Sequence, residues 1–143
     1  MSLKFQLNGN LEIGIHSLSW DDFELNFGYN LHRKRLLEGL KLAISHLKLC
    51  NCNTLYVDGS FVTTKLIPRD FDACWDAKGV NFATMISLYP TLVDFDDERK
   101  NQKLLYKGEL FPMHIPADKY NAFIDFFQLD KEGNPKGIVK LTL

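Results

Sequence analysis

The chain has no excess of either charge: seventeen Lys and Arg stand against eighteen Asp and Glu, a formal net charge of -1 at pH 7. That balance argues against a protein whose main task is to grip nucleic acid or an anionic membrane by bulk charge. No run approaches the ~18 apolar residues a membrane span needs, and the opening MSLKFQLNGN lacks the apolar stretch of a secretory signal. The expectation is a cytoplasmic protein with no membrane association. Cysteine is scarce: Cys50, Cys52 and Cys74 form an odd set without C-x-x-C spacing, which suits reduced structural thiols better than a disulfide framework or a zinc site. His16, His32, His46 and His114 are scattered without ligand spacing, so neither a histidine metal site nor a Ser-His-Asp arrangement can be assembled. Repeats, low-complexity tracts and linkers are missing too, and 143 residues suffice for one core but not for two ordinary domains. What is abundant is phenylalanine, eleven residues, which predicts a core dense in rings.

Apolar spacing predicts alternating helices and strands. The first dozen residues show no clear period and read, through about residue 18, as an irregular lead-in. Ser19 to Asp22 has the S-x-x-D form of a helix start, and Gly28 closes the short helix WDDFELNF. Between Leu31 and Leu49, Leu36, Leu37, Leu40, Ile44 and Leu47 recur at helical steps and predict one buried face, with Lys41, Ser45 and Lys48 turned to water. TLYVD, residues 54–58, reads as a strand. In Asp70 to Trp75 the alternation puts Phe71, Ala73 and Trp75 on one face and Asp70, Asp72 and Cys74 on the other. Further along, Phe82 to Leu88 reads as a short helix, TLVDF (91–95) as a strand, and Asp96 to Lys107 as a helix stopped by Gly108. ELFPMHI (109–115) reads as an edge strand because of Pro112, and Tyr120 to Phe127 as a helix capped by Asp118. The last strand is GIVKLTL, after a turn at residues 131–135. The fold class expected is α+β: one domain with a small mixed sheet packed against helices.

VDGSFVTTKLIPRDFDACWD concentrates the chemistry. Two aspartates at i and i+2 on a strand point to the same side, and each penalises ionisation of the other unless a cation lies between them. Mg²⁺ prefers such hard oxygens together with substrate phosphates. Gly59 lets the backbone turn sharply, and the following amides and the Ser60 hydroxyl can donate to phosphate oxygens. Either half alone is ordinary, since Gly-Ser is common in turns and D-x-D common on polar strand faces. Together, at the ends of adjacent strands after a strong helix, they suggest a metal-nucleotide site.

Gly59-Ser60 followed by Asp70-Phe71-Asp72, in the order helix, strand, loop, strand, resembles the nucleotidyltransferase superfamily, which includes DNA polymerase beta, the aminoglycoside nucleotidyltransferases and the minimal nucleotidyltransferases of bacteria. The longer stretches GSFVTTKLIPRDFDACWD and YKGELFP are similar to a family of bacterial and phage proteins grouped with that superfamily and without an assigned activity. The resemblance implies a nucleotidyltransferase-like fold. It also implies transfer of a nucleoside monophosphate from an NTP to an acceptor that is a protein, an RNA or a small molecule. Ser60 and nearby amides would hold the triphosphate, and Asp70 and Asp72 would bind two Mg²⁺ (or Mn²⁺) ions. A third acid would come from a later strand: Asp94 has the topological position, and Glu109 in GELFP is the rival. Lys65 is within a loop's reach of the phosphates.

The sequence also departs from the minimal relatives, which carry an Arg-Gly pair shortly after Gly-Ser and a Ser before the first Asp. Here Val62-Thr63-Thr64 and Arg69 occupy those regions. The resemblance does not extend to the separate helical domain through which larger relatives bind base and acceptor, so the expectation is that either a partner completes the site or the acceptor is itself a protein. The alternative is an inactive module acting through a protein partner, as in a toxin-antitoxin or phage-related system. His32-Arg33-Lys34-Arg35 opens a helix where the macrodipole disfavours cations, which suggests a phosphate or RNA contact or else a solvated face. Arg99 and Lys103, at i and i+4, share a face that can lean toward the acids.

Overall fold

The computed structural model describes residues 2–143; Met1 lies outside them. Among the described residues, five strands make one mixed sheet in the order β1-β5-β2-β3-β4: β1 Gly14–Leu18, β2 Thr54–Asp58, β3 Phe71–Trp75, β4 Gly108–Pro112 and β5 Gly137–Thr142. β2 is antiparallel to β3 and β5, while β1 runs parallel to β5 and β4 parallel to β3. The helices are α1 Trp20–Phe27, α2 Leu31–Leu49, α3 Phe82–Leu88, α4 Asp96–Tyr106 and the single turn α5 Phe123–Phe126. A single mixed α and β domain is thus observed, as expected.

Alternation along the strands divides the sheet into two faces. Leu55, Val57, Phe71, Ala73, Trp75, Leu110, Val139 and Leu141 are buried on one face, in a core shared with Phe23 and Phe27 of α1 and with Leu36, Leu37, Leu40, Ala43 and Leu47 of α2. Ser19 and Asn30 cap the two helices, each accepting from a backbone amide three residues on. The opposite face carries Cys74, Phe111 and Ile138, which pack with Phe127 in a second, smaller cluster. Phe123 stacks on Phe111 with ring centroids 4.1 Å apart. All three cysteines are free and buried, and burial pushes the Cys52 thiol up to about 11, so it stays protonated at neutral pH. No helix is long and apolar enough to cross a membrane.

Four expectations need correction. The lead-in is partly ordered as structure: Phe5 bridges Leu11, and β1 joins the sheet edge. TLVDF is not a strand, because Pro90, without an N–H and with a fixed φ, opens a 3-10 turn over Pro90–Val93. The helix expected over residues 120–127 shrinks to Phe123–Phe126, since Asp118 accepts from the Tyr120 and Asn121 amides and closes a turn instead. In α4, Asp97, Glu98 and Arg99 are left-handed, with φ of 51°, 56° and 61°. Left-handed turns cost about 1–2 kcal/mol per residue, and this one carries Arg99 over the Phe111 ring at 5.7 Å. Lys107, with φ 67°, takes the left-handed position that ends the helix, and Gly108 already begins β4.

Candidate active site

β2 ends because Gly59 turns with φ 84°, a conformation that other residues adopt only under strain. A Cβ there would lie 2.7 Å from Asp72 Oδ2, so only glycine lets the loop pass the carboxylate. The chain continues through a 3-10 turn, Ser60–Val62, whose Phe61 is buried between Phe23 and Phe27 with centroids 5.8 and 6.2 Å away. Arg33 completes the anchoring. Its guanidinium donates to the carbonyls of Phe27 (3.1 Å), Phe61 (2.6 Å), Thr63 (3.0 Å) and Lys65. Arg33 is therefore no phosphate or RNA contact: it is fully buried and holds the loop in shape. Its neighbour His32 bonds the Pro68 carbonyl, while Lys34 and Arg35 are exposed.

The acids form a row. Asp58 pairs in register with Asp72, and Asp72 with Glu109, so three carboxylates stand on one sheet face on neighbouring strands roughly 4.8 Å apart. Asp70 precedes β3 by one residue and is two positions from Asp72. The outer members of the row are paired. Lys136 Nζ lies 2.7 Å from Asp58 Oδ1, and Glu109 meets Lys103 at 3.1 Å and Arg99 at 3.5 Å. The Arg99 contact is an ion pair without hydrogen-bond geometry, since its Nε has no acceptor aligned with it. Asp70 and Asp72 have no salt bridge among the described residues. Desolvation, then the charges of Glu109, Asp58 and Asp70, push the Asp72 carboxyl up to about 7. Burial and Glu109 also raise Asp70, and burial raises Asp58 against the pull of Lys136.

Asp94 does not join the row. It accepts from the Asp96 amide at 3.1 Å and from Asn101 Nδ2 at 2.8 Å, capping the loop before α4, and it is not among the charges acting on Asp70 or Asp72. Of the two rivals, only Glu109 lies beside Asp72.

In front of Asp58 and Asp72, at one end of the row, opens a cleft of about 780 Å³, in the range of small-molecule sites. Asp58, Gly59, Ser60 and Asp72 form its floor, and Lys65 reaches it from the anchored loop. The N-terminal segment supplies another wall: the Thr64 amide donates to the Gly9 carbonyl at 3.0 Å, seating Asn8 to Asn10 against the loop. Phe126 and Phe127 line the far side, with Lys131 and Lys136. Sequence reasoning passed over Asp58, Lys136 and this segment. Asp58 was within reach of it, because alternation in TLYVD sets Tyr56 and Asp58 opposite Leu55 and Val57.

Among the described residues no three His, Cys, Asp or Glu side chains are already gathered tightly enough to hold a metal ion. The donor set nevertheless fits Mg²⁺ or Mn²⁺. Asp70 and Asp72 are hard oxygen donors on one face, and Asp72 is a largely desolvated carboxyl with like charges around it and no counter-ion. Glu109 is held by Lys103 and Arg99 and would join them only if those pairs opened.

Residues 3–142 match the family of unknown function DUF6932, and the chain belongs to that family. No curated protein and no solved structure matches it.

Proposed function

We propose that the protein is a nucleotidyltransferase-like enzyme that moves a nucleoside monophosphate from an NTP to an acceptor hydroxyl, with Asp70 and Asp72 holding Mg²⁺ or Mn²⁺. The observation that carries this reading is the row Asp58, Asp72, Glu109, with Asp70 on the same face, of which Asp58 and Asp72 lie at the floor of a nucleotide-sized cleft. Ser60 Oγ, free of any hydrogen bond among the described residues, and the Lys65 ammonium bind the triphosphate from the anchored loop. Glu109 takes the proton of the acceptor hydroxyl as its oxygen bonds to the α-phosphorus; the bond from that phosphorus to the bridging oxygen breaks, and pyrophosphate leaves with the electron pair. When bound, the cation supplies charge neutralisation at the α-phosphate and on the leaving group. The Phe126 ring, 41% exposed, offers the base an apolar wall.

A second reading is a module that does no chemistry and works through a protein partner, in the manner of a toxin-antitoxin or phage-related system. It draws on the fact that Asp58 and Glu109 are already paired with cations of the same chain. One experiment separates the two. The protein is incubated with labelled NTPs and Mg²⁺ beside the double variant Asp70→Asn/Asp72→Asn. Label transfer and Mg²⁺-dependent nucleotide binding that disappear in the variant support the enzyme, whereas identical behaviour of the two proteins refutes the site. Metal-dependent binding without transfer favours the partner module.

A further inference from the structure

The two edges of the sheet are finished differently. At the β4 edge the Gln102 side chain takes the place of a strand: its Nε2 donates to the Leu110 carbonyl at 3.1 Å and its Oε1 accepts from the Leu110 amide at 2.8 Å. Pro112, two positions on, has no N–H to offer. β1, at the other end of the strand order, pairs with β5 alone. Its sequence GIHSL contains no Asp, Glu, Lys, Arg or Pro, the residues with which an edge is commonly blunted.

The register fixes which groups β1 turns outward. The Asp76 amide donates to the Thr54 carbonyl at 3.0 Å and the Leu143 amide to the Asn53 carbonyl at 2.8 Å, so even positions of β2 bond β3 and odd positions bond β5. On β5, Val139 and Leu141 therefore face β2, and Ile138 and Lys140 face β1. In the parallel ladder these two bond the residues that flank their partners Ile15 and Ser17, which are Gly14, His16 and Leu18. The N–H and C=O of Ile15 and Ser17 are left pointing away from the sheet. Both residues are exposed, and no other segment among the described residues bonds their backbone.

We infer that β1 is the contact edge of a two-fold dimer, in which β1 of a second copy lies antiparallel to it with His16 on the axis. In that register Ile15 faces Ser17 of the second copy and Ser17 faces Ile15 of the second copy. Every outward group of β1 then meets its complement, since each such pair exchanges two hydrogen bonds. The strand is thus complementary to itself, and with no charged residue it sets no like charges opposite each other. The Ile15 side chains, 46% exposed in the single chain, become diagonal neighbours across the axis. Because Gln102 fills the β4 edge, a further pairing that would extend dimers into an open stack is blocked. A contact built on one five-residue strand falls below the ~1,200 Å² of standard interfaces, so the dimer forms in a concentration-dependent way. The inference is independent of the proposed transfer reaction, because neither Asp70 nor Asp72 takes part in it.

Sedimentation velocity of the metal-free and nucleotide-free protein between about 1 and about 500 µM tests it. Ile15→Lys, which sets two ammonium groups beside the axis, and Ser17→Pro, which deletes an outward N–H, are run alongside. Amide hydrogen exchange is followed by NMR at both ends of the range. The wild type should pass from monomer to dimer and go no further, with the Ile15 and Ser17 amides slowing as the dimer forms. Both variants should associate at least roughly tenfold more weakly. If the variants do not fold, concentration-dependent protection of Ile15 and Ser17 in the wild type decides the matter. A wild type that stays monomeric, species larger than a dimer, a dimer unchanged in both variants, or a dimer whose Ile15 and Ser17 amides exchange as fast as in the monomer each overturn the inference. None of these outcomes bears on metal binding or label transfer, so the proposed reaction stands or falls separately.

Discussion

Under α1 and α2, Arg33 is fully buried, yet its guanidinium donates to four backbone carbonyls. Gln102 is buried as well, donating to the Thr91, Leu92 and Leu110 carbonyls and accepting from the Leu110 amide at 2.8 Å. On the other face of the sheet, Asp72 is surrounded by Asp58, Asp70 and Glu109 and has no counter-ion of its own. Arg33 and Gln102 on the first face meet partners inside the chain and hold loops and edges in place, although Arg33 Nε and the Trp75 indole N–H are left without an acceptor. On the second face Asp58 and Glu109 are paired within the chain, while Asp70 and Asp72 have no counter-ion, which costs stability.

Substitutions on the two faces should therefore shift stability in opposite directions. Arg33→Ala should have the largest effect, a loss of about 3 kcal/mol or more as four carbonyls lose their donor. Thermal denaturation measures it, and faster proteolysis within residues 60–67 reports the freed loop. Gly59→Ala comes next, at roughly 2 kcal/mol for a left-handed residue with a crowded Cβ. It should also abolish divalent-cation binding, read by calorimetry, because the new methyl displaces the Asp72 carboxylate.

Asp72→Asn should act in the opposite sense and stabilise the metal-free protein at pH 8, with a rise of roughly 5 °C in Tm. The sign follows from linkage. The folded carboxyl titrates near 7, above its ordinary value of 3.8, so the folded chain holds this proton more tightly than the unfolded chain. That stabilisation is complete below about pH 3.8 and is lost as pH rises through about 7. The raised Asp70 and Asp58 work in the same direction. Metal-free wild type should thus lose Tm between pH 6 and pH 8, and Asp72→Asn should lose less. The smallest effect belongs to Asp94→Asn, within about 0.5 kcal/mol and with no change in cation affinity, whereas Glu109→Gln should weaken cation binding in the same titration.

The sequence showed most clearly what depends on local periodicity. Alternation in DFDACW put Asp70 and Asp72 on the face opposite Phe71, Ala73 and Trp75, and the leucine spacing of α2 located the main helix. Features set by distant partners were hidden. Lys136 meets Asp58 across 78 residues of chain, which no local pattern encodes. Arg33 looked like a surface cation, and only its unfavourable place at a helix start hinted at another role. β1 carries little signal because it is an edge strand whose alternating exposure is not matched by its residue types: Ile15 is exposed, while Gly14 and His16 face the more sheltered side. Asp94 looked like a strand residue until Pro90 and the cap to Asn101 bent the chain away.

The central claim, that Asp72 is left without a counter-ion so that a divalent cation can supply one, is tested most directly by the melting temperature at pH 8 with and without Mg²⁺. The wild type should gain several degrees on adding Mg²⁺, while Asp72→Asn should melt higher than the metal-free wild type and gain nothing from the ion. A wild type indifferent to Mg²⁺, or an Asp72→Asn variant stabilised by it as much as the wild type, would contradict the account.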